Sequence, residues 1–138
     1  MTTLNLDQQA ALHAQQMVKA ALEVKNEPKA VEVLITKALG VLQEQGVYAC
    51  MLFLFSRTGD EKAFAGQMRP ELYRLLGKLP VFAERSDLPV APDDARKTLE
   101  FYAKHVSDNL DTLLLVRDLY EQALIYARFT AKAERKGD

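Results

Sequence analysis

The sequence predicts an all-α protein, a compact bundle of five or six helices forming a single helical domain over residues 1–138. Three observations predict it. Apolar side chains recur every three or four residues through most of the chain. Glycine and proline are few, at 6 and 5 of 138 residues, so little interrupts those periods. Apolar residues make up 49% and charged residues 27%, an ordinary globular composition with no low-complexity tract.

In the first helix Ala10, Ala14, Met17, Ala21 and Val24 share one face, with Asn5 or Asp7 as its cap. Pro28 suits the first turn of a second helix, whose stripe is Val31, Leu34, Ile35, Ala38, Leu39 and Leu42, and Gly46 is its stop. Val47 to Phe55 reads VYACMLFLF, apolar on every side. Periodicity leaves helix or strand open there, but a lone strand among helices has nothing to pair with, so a central helix is expected, ending near Thr58-Gly59.

Asp60 is expected to cap a fourth helix carrying Phe64, Met68, Leu72, Leu75, Leu76 and Leu79. Pro70 either kinks it or begins a new one, because an interior proline loses a backbone hydrogen bond and costs about 3 kcal/mol. Gly77 to Pro92 holds three prolines and little periodicity and is expected to be the one long loop. Pro92, Asp93 and Asp94 open a fifth helix with Ala95, Leu99, Tyr102 and Val106 buried. Ser107-Asp108 caps a separate final helix, or the helix runs straight through; the last segment buries Leu113, Val116, Tyr120, Ala123, Ala127 and Ala131.

Eighteen basic against nineteen acidic side chains leave a formal charge of −1, so binding to nucleic acid or membrane must come from a local patch. One cysteine, Cys50, excludes an intrachain disulfide and points to a reducing compartment. Met1 to Gln9 has no basic stretch followed by an apolar one, and no apolar run is long enough to span a bilayer; a cytoplasmic protein without membrane contact is expected.

Chemistry at neutral pH needs a histidine, a cysteine, paired carboxylates or a metal, each held by a partner. The two histidines, His13 and His105, are separate, no Glu-x-x-His occurs, and the glycines are dispersed without a GKS or GKT ending. No catalytic residue, metal site or cofactor is expected, and the protein is read as a non-enzyme. What remains is surface. On the last helix Arg117, Arg128, Lys132 and Arg135 fall within about 60° of one another, a basic ridge diluted by Glu121. A second cluster holds Arg57, Lys62, Arg69, Arg74 and Lys78 against Asp60, Glu61 and Glu71. Either set can follow a phosphate backbone without reading sequence, and either also suits a solvated helix face. Tyr48, Phe53 and Phe55 sit in the most apolar stretch and are read as core rather than as base-stacking platforms.

Two stretches carry a resemblance. Ala38-Leu39-Gly40-Val41-Leu42 followed by Gly46 to Ser56, and Leu124-Ile125-Tyr126-Ala127-Arg128-Phe129 leading to Ala131-Lys132-Ala133-Glu134, are similar to the small helical subunit of type III-B (Cmr) CRISPR effector complexes. The proline-rich stretch from Leu79 to Pro92 departs from that pattern. The resemblance implies a non-catalytic subunit stacking with other copies of itself along an effector filament, with other complex subunits, the guide RNA and the target RNA as partners. It implies that basic side chains touch RNA. Arg128 and Lys132 match the tail motif, Arg57 follows the central helix, and Lys62, Arg69, Arg74, Arg117 and Arg135 complete the candidate set. The alternative is a helical protein-protein adaptor with no nucleic-acid role.

Overall fold

A computed structural model describes residues 5–83 and 94–135. Among them are seven α-helices and no strand: α1 (Leu6–Val24), α2 (Pro28–Gln45), α3 (Val47–Phe55), α4 (Gly59–Leu76), α5 (Pro80–Ala83), α6 (Ala95–Phe101) and α7 (Leu110–Glu134). A π-helical turn, Tyr102–Val106, continues α6.

The helix ends follow local chemistry. Asn5 caps α1, its side-chain oxygen accepting from the Gln8 N–H at 3.0 Å. Pro28 opens α2 without wasting an amide, and Gly46 stops it at φ 96°, a left-handed backbone that side chains with a Cβ avoid. Gly46 is also the whole connection, since α3 starts at the next residue. VYACMLFLF is helical, as its surroundings required, and buries Val47, Cys50, Met51 and Leu54.

Thr58, not Asp60, is the N-cap of α4; Asp60 lies in its first turn, where a carboxylate suits the positive end of the helix. Pro70 neither ends nor restarts that helix. Gly66 and Pro70 are both partly exposed, so solvent can satisfy the carbonyl that loses its amide partner.

Two expectations are corrected. The described residues form seven helices rather than five or six, because the expected loop from Gly77 begins with α5. Leu79 and Phe82, three residues apart, are both fully buried, and Phe82 meets Phe101 with ring centroids 5.7 Å apart. Burial of two large apolar groups overrides the flanking proline's preference for irregular chain. Residues 84–93 of that stretch, including Pro92 and Asp93, lie outside the described residues. Asp94 caps α6 through the Lys97 N–H at 3.1 Å.

The buried set near Tyr102 also differs from the expected stripe. Ala95 is exposed and Leu99 half-buried, while Thr98, Phe101, Tyr102 and Val106 are buried. Tyr102 and Val106 are buried as the spacing expects, and between them the chain forms the π-turn, in which Ser107 N–H bonds back five residues to Tyr102 O at 3.0 Å. Asn109 then caps α7 as a separate helix by accepting from Thr112 N–H at 3.1 Å.

α7 lies between the first two helices. It runs antiparallel to α2, since Arg117 reaches Gln43 and Arg135 reaches Glu32, and parallel to α1, since Leu6 lines a hollow with Leu119 and Leu22 one with Glu134. Fully buried Ala10, Ala14, Ala21, Ala38, Ala123, Ala127 and Ala131 let these three helices approach closely. Bulkier Phe64, Met68, Leu72, Phe101, Tyr102 and Tyr120 fill the core elsewhere. Inside it the Tyr102 and Tyr120 hydroxyls share a hydrogen bond of 2.5 Å, which satisfies two groups that burial would otherwise penalise. Burial holds both phenols well above their usual range.

Candidate nucleic-acid interface

The cluster that follows α3 is turned inward. α3 ends at Phe55 without a glycine cap, so its last carbonyls need donors from elsewhere. Arg57 Nε donates to Phe53 O at 3.0 Å, and the guanidinium lies 3.8 Å from the centroid of the Phe53 ring. Arg69, arriving from α4, donates to Leu54 O at 3.2 Å and covers the Phe55 ring at 4.1 Å. Phe53 and Phe55 are thus half-buried beneath cations rather than enclosed in the core, and Tyr48 is exposed. Arg74 pairs with Glu71 at 3.1 Å. Glu71 itself is buried at 4% exposure, with His13 Nδ1 3.6 Å from its other oxygen across the α1–α4 contact. Lys62 and Lys78 remain on the surface.

The α7 ridge is divided. Arg117 donates to Gln43 O at 2.7 Å, and Arg135 pairs with Glu32 at 2.6 Å, so its two ends are fastened to α2. The Arg135 guanidinium holds the Glu32 carboxyl below its ordinary value of 4.5; burial opposes the shift, and Lys29 and Lys132 add to it. Glu121, which dilutes the ridge, accepts from the Gln43 amide at 3.1 Å. Between the fastened ends, Arg128 and Lys132 make no hydrogen bond or ion pair with any described residue. They stand one turn apart.

The two basic sets do not form one track. Glu32 and Gln43 mark the side of α2 that faces α7, whereas Lys37, paired with Glu61 of α4 at 2.9 Å, lies roughly 130° around the same helix. The exposed face of α2 separates them.

A feature the sequence reading missed adjoins the ridge. Phe129 is 59% exposed although aromatic, and it borders a hollow of about 350 Å³ between α1 and α7. Ala11 and Ala133 leave the space, Tyr126 and Phe129 supply rings, and Gln15 and Thr130 supply polar groups. The Tyr126 phenol donates to Asp7, which fixes that ring against α1; the same hydrogen bond raises its pKa. A helical wheel carries the signal: Phe129 lies roughly 200° from buried Ala127.

His105 packs on Phe101, ring centroids 5.4 Å apart. Cys50 is buried with its thiol pushed up to about 12, which keeps it protonated and a poor nucleophile. Among the described residues no three or more His, Cys, Asp or Glu cluster to hold a metal ion, and no helix is long and apolar enough to cross a membrane. Compared with family models, with curated proteins and with solved structures, the chain has no match in any of the three.

Proposed function

We propose that the protein is a non-catalytic helical subunit of a cytoplasmic RNA-guided effector assembly of the type III kind. It touches the guide or target RNA backbone with the outer face of α7 and stacks against protein neighbours, copies of itself included. One observation carries the RNA contact: Arg128 and Lys132 lie one turn apart on α7 with no hydrogen bond or ion pair to any described residue, while Arg57, Arg69, Arg74, Arg117 and Arg135 spend a donor within the fold. Free cations gain most from phosphates because they displace counterions without first breaking an internal bond.

So few contacts give weak, sequence-independent binding on their own, with Kd about 10⁻⁴ to 10⁻⁶ M at physiological salt. The test is the Arg128→Glu/Lys132→Glu double variant binding a single-stranded RNA. The expected outcome is weaker binding and a log–log salt slope shallower by about 1.4, or 0.7 for each cation. Binding and slope equal to wild type would remove the reading.

A second reading, a protein-protein adaptor, is favoured by the amino-terminal part of α7, where Leu110 is 68% exposed and Leu114 and Leu115 are exposed beside it. Retention of a specific protein partner after exhaustive nuclease digestion, with no protected RNA, would select it.

A further inference from the structure

We infer that the hollow bordered by Phe129 receives an unpaired nucleobase, which makes the outer face of α7 a site for single-stranded rather than duplex RNA. The inference rests on the RNA-facing reading of α7 and adds what that face recognises. A large aromatic ring exposed on a helix, without a hydrophobic neighbour to cover it, loses free energy to water unless something stacks on it. Here two rings border one hollow, Phe129 at the open rim and Tyr126 anchored by Asp7.

The hollow's size, about 350 Å³, falls at the lower end of small-ligand sites, and its walls combine rings with two polar side chains. The Gln15 amide carries both a donor and acceptor, so it can meet the edge of any base. Charge indicates how the strand would lie. Neither Arg128 nor Lys132 lines this hollow; the Arg128 guanidinium lies 6.0 Å from the centroid of the Phe129 ring and Lys132 follows one turn later, so Phe129 stands between these cations and the hollow. Glu23 and Glu134 outnumber Lys19 in the lining of the next hollow along the same seam, about 710 Å³, so it offers a phosphate no excess positive charge. A backbone following Arg128 and Lys132 would turn its bases toward Phe129. An A-form duplex keeps its bases stacked inside and has none to offer.

The test uses the full chain with a single-stranded RNA carrying 2-aminopurine, and a duplex of equal length. Stacking on an aromatic ring quenches that fluorophore. Wild type is expected to quench it and to prefer the single strand. Phe129→Ala should weaken single-strand binding roughly 5- to 150-fold while leaving the salt slope unchanged. Phe129→Tyr should restore both affinity and quenching; Phe129→Leu, apolar but without a π face, should restore neither.

Phe129→Ala binding as wild type does, Phe129→Leu rescuing it, or equal affinity for duplex would each overturn the inference. If the charge-reversed double variant still loses binding in those cases, the underlying reading survives. A wild-type chain that binds no RNA removes both. A change in the sedimentation of protein alone on Phe129→Ala would assign the face to self-association and overturn the inference as well.

Discussion

The two basic clusters are alike in composition and opposite in fate. Downstream of α3, Arg57 and Arg69 close the open carbonyl end of an apolar helix and cover the two phenylalanines that its last turn leaves uncovered. On α7, Arg128 reaches only to 6.0 Å from the Phe129 ring and Lys132 adds to the field at Glu32, but neither makes a hydrogen bond or an ion pair with a described residue. The difference lies in what each helix end lacks. α3 ends at Phe55 with carbonyls to satisfy, whereas the middle of α7 has its backbone paired within the helix, and Glu32 and Glu121 beside it are engaged by Arg135 and Gln43. Charge count therefore says little about binding until the internal demand on each cation is known.

The comparison is open to mutation, and its largest expected effect is Arg69→Ala. That change removes a charge-assisted bond to Leu54 O together with the cover on Phe55, and it should cost about 2–3 kcal/mol in urea unfolding. A loss under about 0.5 kcal/mol would make Arg69 an ordinary surface residue and dissolve the contrast. Arg57→Ala should cost less, about 1 kcal/mol, because Ser56 N–H also reaches Phe53 O.

Glu32 sharpens the contrast on the α7 side. Its carboxyl is held below 4.5 in the folded chain, so the stability it contributes is present above that pH and is lost as pH falls through the lower folded value. Glu32→Gln should lack this acid-side loss in thermal melts recorded across that window. At neutral pH the same variant releases Arg135, and its RNA salt slope should steepen by up to about 0.7; an unchanged slope would place Arg135 outside the RNA face. Smallest of all, Arg128→Ala and Lys132→Ala should each shift stability by no more than about 0.5 kcal/mol.

Much of the fold was legible because α1, α2, α4 and α7 bury regular stripes, although Val24 of the expected set is exposed and Leu113 half-buried. Ala10 through Ala21, Val31 through Leu42 and Val116 through Ala131 fall where the spacing puts them. The π-turn had no sequence signal, since Tyr102 and Val106 are four residues apart, as in an α-helical stripe, and the turn shows only in the bond from Ser107 to Tyr102. α5 was hidden because Leu79 and Phe82 are too few to show a period, and Pro80 between them argues for loop. At the surface, the eight candidate cations were readable as residue types but not as free or occupied. That depends on partners such as Leu54 O, Gln43 O and Glu32, which lie 15, 74 and 103 residues away in the chain. The exposure of Phe129 is legible on the helical wheel, roughly 200° from buried Ala127, but the wheel does not show the hollow beside it, which α1 completes.

The place of α7 between the first two helices has a consequence for how the molecule is made. The alanine-lined seams of α1 and α2 stay open until the last described helix has left the ribosome, and a parallel α1–α7 pair joins residues more than a hundred positions apart. Long-range closure of this kind slows folding and makes it depend on synthesis of α7. A nascent chain stalled before Ala123 would leave those alanine-lined seams uncovered, and chaperones and proteases would meet them first.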